Sequence, residues 1–235
     1  MKPKLHIVHG WAYSLDKWDK LIANLEEDGI EVCMLRVPGL TAPSDKVWDM
    51  DGYVDWLEDQ LKDEGNDVIL LGHSNGGRIA LNYNMRGNSK IKHLLLLSSA
   101  GVWTDPGRQD FKRKVLQIGA KILKPLASLP GLKKVLYRLV GASDYNNAPT
   151  NMKQTLVNMI NSDKQLDLAA STMPVNLIWG GHDSQTPIAQ AQKLKAELPN
   201  VIGYQVIPDA RHAPYATHPD QLSKLIIDAL GGSKS

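Results

Sequence analysis

Cysteine is almost missing from this chain of 235 residues: Cys33 stands alone, inside the apolar run from Val32 to Leu35. A single thiol excludes an intrachain disulfide, and that setting suits a buried structural thiol rather than a nucleophile. Long hydrophobic runs are missing too. The apolar segment around Leu94 to Leu97 falls far short of the roughly 20 residues that a membrane-spanning helix requires. The opening Met1-Lys2-Pro3-Lys4 leads into an apolar stretch too short for a signal peptide. A cytoplasmic protein without stable membrane insertion is the expectation. Charge of one sign is not in excess, since the net charge is +2, and nothing in it calls for nucleic acid as a partner. No His-Glu-x-x-His or comparable spacing offers a metal site, and no Gly-x-Gly-x-x-Gly follows an apolar run, so neither a metal nor any other cofactor is expected. Internal repeats are absent as well, and nothing in the sequence fixes an oligomeric state.

What the chain does have is a repeating alternation. With 43% apolar residues, it can bury one large core. Short runs rich in Val, Ile and Leu occupy residues 5–8, 31–35, 67–71, 92–97, 175–179 and 202–207. They are continuous rather than alternating, as in strands covered on both faces. Helical patterns lie between them, at about 16–28, 51–64, 75–86, 187–197 and 218–230. Thr186-Pro187 reads as an N-cap followed by a proline in the first turn, and His218-Pro219 opens the last helix in the same way. The expected fold is α/β: a mostly parallel central sheet of about six strands, flanked by helices, with right-handed connections.

The alternation fails once, over residues 103–172, which predicts a helical cap inserted between two parts of a core domain, 1–102 and 173–235. Within that segment Val115, Ile118, Ile122, Leu123 and Leu126 share one helical face, and Leu132, Val135, Leu136, Leu139 and Val140 share another. The segment carries eleven Lys and Arg against five Asp, a balance of +6 that leaves the rest of the chain at about −4. Such a basic face is either a solvated surface, an attractor of anionic substrates or a loose contact with a membrane surface.

Chemistry enters at residues 68–78, where an apolar run stops at Gly72-His73-Ser74-Asn75-Gly76 and turns helix-forming. A Gly-x-Ser-x-Gly between a strand and a helix is the pattern of a nucleophile elbow, whose tight, strained turn leaves no room for a Cβ two residues on either side of the serine. Serine needs a base, and the base needs a carboxylate to orient it. In an open parallel sheet both must come from loops at the carboxyl ends of strands. Asp183 follows the strand at 175–179 and His212 follows the strand at 202–207, giving the order nucleophile, acid, base. Asp209 lies only three residues before His212 and is a second candidate for the acid. A developing oxyanion needs preorganised donors. The N–H of Asn75, at the start of the helix after the elbow, is one; the N–H of Trp11, in the loop after the first strand, is the other. His9 and His73 flank this pocket and are expected to bond loop backbone.

His9-Gly10-Trp11, Val37-Pro38-Gly39, Gly72-His73-Ser74-Asn75-Gly76-Gly77, Trp179-Gly180-Gly181-His182-Asp183 with Thr186-Pro187, and Ala210-Arg211-His212-Ala213-Pro214 together resemble the alpha/beta-hydrolase superfamily over nearly the whole chain. The resemblance implies an acyl-enzyme on Ser74 and a small-molecule ester substrate, hydrophobic or anionic, with no cofactor. Members with a covalent aspartate differ at the elbow, where this chain has Ser74. Carboxylic ester hydrolysis is the leading expectation. Cleavage of a carbon–carbon, thioester or lactone bond would use the same residues, and a receptor built on the same fold is a further alternative.

Overall fold

The computed structural model describes residues 3–86, 90–102, 147–163 and 166–231. Six strands form one sheet: β1 (Lys4–Val8), β2 (Glu31–Leu35), β3 (Val68–His73), β4 (Ile91–Leu97), β5 (Val175–Gly180) and β6 (Val201–Ile207). Their order is β2-β1-β3-β4-β5-β6, and every pairing is parallel. Each expected strand lies within two residues of its expected bounds. The helices are α1 (Asp19–Glu27), α2 (Met50–Gln60), α3 (Asn75–Asn84), α4 (Thr150–Ser162), α5 (Ile188–Glu197), α6 (Pro214–Thr217) and α7 (Pro219–Ala229).

The continuous apolar runs are explained by two cores, one on each face. Along a strand successive side chains point to opposite sides. Leu70, Leu94, Leu96, Val175, Leu177 and Trp179 therefore enter one core, together with residues of α2, α3, α4 and α5. Leu71, Leu95, Leu97 and Ile178 enter the other, with Leu21 and Leu25 of α1 and Leu222 and Ile226 of α7. A polar residue at either phase faces a covered side of the sheet, so such positions are few: His6 in β1 and Asn176 in β5 are buried polar exceptions.

Two local expectations change. Helix α5 starts at Ile188, with Pro187 in the N-cap position and no side-chain cap. Thr186 stands one residue before the N-cap, and its hydroxyl donates toward Asp183 and the Ser98 carbonyl oxygen. Cys33 is half-buried rather than buried. By contrast, Pro219 does open α7, with His218 before it.

Of the segment expected as a cap, α4 is described. It packs Met152, Leu156, Met159 and Ile160 into the core that α2 and α3 also share. Thr155 Oγ1 accepts from the Trp48 N–H at 2.9 Å and Asn158 Nδ2 donates to the Trp48 oxygen at 3.0 Å, fastening α4 to the loop before α2. The two amphipathic faces expected at 115–126 and 132–140 lie outside the described residues. Among the described residues no helix is long and apolar enough to cross a membrane.

The strand order decides where a site can form. The chain runs outward to β2 from one side of β1 and on through β3 from the other. The loops after β1 and β3 thus leave in opposite directions and open a crevice at the carboxyl ends. Val8 lies level with Gly72 in the register, so the turn after β1 arrives beside the end of β3.

Candidate active site

Ser74 is the single residue between β3 and α3, and its backbone is strained, with φ 53° and ψ −119°. A side chain in the positive-φ region costs about 1–3 kcal/mol and persists only where its surroundings fix it. Here its N–H donates to the Leu97 oxygen at 3.2 Å, and its own oxygen accepts from Ala100 N–H at 2.9 Å and Arg78 N–H at 3.2 Å. The flanking glycines are required by close approach. A Cβ on Gly76 would stand 1.9 Å from the Val8 oxygen, and one on Gly72 would stand 2.5 Å from the Gly77 Cα. The elbow is therefore jammed against β1 on one side and its own helix on the other.

His212 and Asp183 arrive from loops far away in sequence and meet Ser74 in one line. His212 Nε2 lies 2.9 Å from Ser74 Oγ, and His212 Nδ1 lies 2.8 Å from Asp183 Oδ2. An ionised carboxylate only accepts, so Nδ1 carries the proton and Nε2 presents its lone pair to the serine hydroxyl. Asp209 is exposed and faces a surface depression with His182, Ser184 and Arg211, so the structure pairs His212 with Asp183.

Asp183 is buried, and all its acceptor capacity is used. Oδ1 accepts from the N–H groups of Gln185 at 2.8 Å and Thr186 at 2.9 Å, while Oδ2 accepts from Thr186 Oγ1 at 2.7 Å besides His212. Burial pushes the Asp183 carboxyl up, but the hydrogen bond and charge of His212 and the two bonds from Thr186 outweigh it and hold the carboxyl below its ordinary range.

Two further histidines sit close by, both buried. His73 Nε2 donates to the His212 main-chain oxygen at 2.9 Å, holding the loop that carries His212. Burial, and then the nearby His212, lower its pKa to about 3. Its ring meets the edge of Tyr215, which stacks on Trp18 at a centroid distance of 3.8 Å. His9 bonds Gly10 and Thr41, and burial lowers its pKa to about 4.

Trp11 and Asn75, the expected oxyanion donors, flank Ser74: Trp11 lines the cavity above it, and Asn75 opens α3 directly after it. Among the described residues neither main-chain N–H has a hydrogen-bond partner. Buried N–H groups are rarely left unpaired. Both lie beside the strained serine, the Asn75 N–H in the first turn of α3, where helix N–H groups have no partner within the helix. The cavity holds about 350 Å³, and its described lining includes Trp11, Tyr13, Lys17, Gln185 and Tyr215. No group of three or more His, Cys, Asp or Glu among the described residues could hold a metal ion.

Sequence reading did not anticipate Thr186 as the partner of Asp183, although its position three residues on was a usable signal. Nor did it anticipate Thr41 beside His9, or the buried Arg78. Arg78 donates to Asp163 through Nε at 2.6 Å and Nη2 at 3.0 Å and to Asn75 Oδ1 through Nη1. Thr41 lies 32 residues from His9 and Asp163 lies 85 from Arg78, so these pairs leave no local pattern.

Residues 3–219 match the family model described as the alpha/beta hydrolase fold. The chain is 26% identical over 254 residues to a pimeloyl-[acyl-carrier protein] methyl ester esterase of Aromatoleum aromaticum, covering 98% of this chain and 99% of the relative. It is 24% identical over 242 residues to the protein of the same name from Nitrosomonas europaea, covering 93% and 92%. Among solved structures it is similar to an alpha/beta hydrolase enzyme from the metagenome of Mar Chica lagoon sediments, with TM-score 0.72, 23% identity and coverage of 98% and 91%. It is also similar to a monoacylglycerol lipase of Paleococcus ferrophilus, with TM-score 0.69, 19% identity and coverage of 99% and 96%.

Proposed function

This chain belongs to the alpha/beta hydrolase fold family, and on that premise we propose that it is a serine hydrolase cleaving carboxylic esters through an acyl-enzyme on Ser74. The observation that carries this reading is the unbroken line from Asp183 Oδ2 through His212 to Ser74 Oγ, with contacts of 2.8 and 2.9 Å. An ester as the bond cleaved is supported by the curated relatives, which are named as methyl ester esterases.

In this mechanism His212 Nε2 takes the Ser74 proton as Oγ attacks the ester carbonyl carbon. The tetrahedral oxyanion is received by the N–H groups of Trp11 and Asn75, which have no other partner to give up. Collapse expels the alcohol, which leaves with the proton from His212. Water then attacks the acyl carbonyl with His212 again as base, releasing the acid and restoring Ser74. Asp183 accepts the Nδ1–H throughout and stabilises the imidazolium. Thr186 and the Gln185 N–H keep the carboxylate from turning away.

Replacing Ser74 with Ala tests the reading. Turnover of a p-nitrophenyl ester is expected to fall by at least about a thousandfold, and labelling by a fluorophosphonate probe should vanish while the circular dichroism spectrum stays that of the wild type. Labelling that survives the change sinks the assignment.

A further inference from the structure

We propose that His9 and Thr41 are positioning residues that aim the Trp11 N–H at the oxyanion, an inference that rests on the acyl-enzyme reading above. The peptide unit joining Gly10 to Trp11 is trans, as are all peptide bonds among the described residues. A trans peptide is planar, and its C=O and N–H point in opposite directions. Whatever grips the Gly10 oxygen from behind therefore sets the direction of the Trp11 N–H in front.

The grip comes from His9, whose Nδ1 lies 2.7 Å from the Gly10 oxygen. A carbonyl only accepts, so Nδ1 carries the proton and, in a neutral ring, Nε2 must accept. Thr41 Oγ1 lies 2.7 Å from Nε2. That same oxygen accepts the Val37 N–H at 3.0 Å, and the Thr41 N–H in turn donates to the Val37 oxygen at 3.0 Å, closing the turn after β2. The chain of donors has one direction: Val37 N–H to Thr41, Thr41 O–H to His9 Nε2, His9 Nδ1–H to Gly10. Reversing any member leaves two protons or two lone pairs facing each other.

The neutral ring that this relay needs is favoured by its surroundings. His9 is 1% exposed, and its burial outweighs the Gly10 bond and lowers its pKa to about 4. Packing alone would explain an apolar residue at position 9 equally well. It does not explain a tautomer fixed at both nitrogens behind a peptide whose N–H has no partner among the described residues and whose residue lines the cavity above Ser74.

Oxyanion donors act on the transition state, so a loosened donor lowers kcat rather than raising KM. Thr41→Val keeps the side-chain shape and removes the proton that Nε2 accepts, and Thr41→Ser returns it. With a p-nitrophenyl ester, Thr41→Val is expected to lower kcat about tenfold with KM within about twofold. It should weaken inhibition by an alkylboronic acid, which forms a tetrahedral adduct on serine, by the same factor. Thr41→Ser should restore both. Nitrogen-15 NMR of the wild-type chain should find His9 protonated at Nδ1 only, a readout that does not depend on any variant folding. Full kcat in Thr41→Val, a kcat loss without weaker boronate binding, a failed Ser rescue, or an Nε2–H tautomer overturns the proposal. A wild-type chain with neither ester turnover nor fluorophosphonate labelling of Ser74 overturns the acyl-enzyme reading first, and this inference with it.

Discussion

At the amino ends of the strands, Lys4 Nζ meets Glu64 Oε1 at 2.5 Å near the surface, and Lys90 Nζ gathers the Leu61 and Glu64 main-chain oxygens at 3.1 and 2.9 Å, closing the turn after α2. At the carboxyl ends, Ser74 sits at positive φ, two N–H groups have no partner among the described residues, and Asp183, His73 and His9 are buried beside it. The first end places its charges on residues that water still reaches and gives each an opposite charge or an acceptor. The second end holds polar side chains away from water and one residue at positive φ, arrangements that cost stability unless neighbours enforce them. The same sheet thus carries a charge-paired end near the surface and an end where buried polar side chains surround Ser74.

The largest test of this contrast is Asp183→Asn. The amide turns an N–H toward Nδ1 and drives His212 into the wrong tautomer, so kcat is expected to fall by about 10³–10⁴-fold. A loss below about tenfold would mean that the carboxyl end does not depend on that tautomer.

Acid should expose the second difference. Burial keeps His9 and His73 at about 4 and about 3, below the ordinary 6.5 that an unfolded chain restores. The unfolded state then binds more protons, so stability is full above about pH 6.5 and declines as pH falls toward the folded values, by several kcal/mol in total. His6 at the amino end, lowered by burial, adds in the same direction. Urea denaturation at about pH 7.5 and about pH 4.5 measures the drop; equal midpoints would mean that these rings are already accessible to protons in the folded chain.

The smallest effect is expected at the amino end. Lys4→Met should cost no more than about 1 kcal/mol, because the pair with Glu64 is partly exposed and screened. It should leave kcat on the p-nitrophenyl ester unchanged. A kcat change would couple the two ends and break the contrast.

The strands were legible because a run buried on both faces must be continuously apolar, and Val68 to Leu71 and Leu94 to Leu97 are. The elbow was legible because its steric demands fall on residues two apart, Gly72 and Gly76. Asp183 and His212 could be nominated by their places after strands, yet choosing Asp183 over Asp209 took the fold. Thr186 before Pro187 reads locally as a helix cap, but the helix begins one residue later, at Ile188, and the Thr186 hydroxyl serves Asp183 instead. The faces expected at 115–126 and 132–140 fall outside the described residues.

Periodicity and turn chemistry are properties of neighbours along the chain, and so the sequence by itself determined the six strands, their flanking helices and the strained turn at Ser74. Hydrogen-bond partners are properties of neighbours in space. His9 meets Thr41 across 32 residues, Arg78 meets Asp163 across 85, and His73 meets the His212 oxygen across 139. The sheet order β2-β1-β3-β4-β5-β6 brings those loops together, so only the tertiary structure decided which groups hold the reactive ones still.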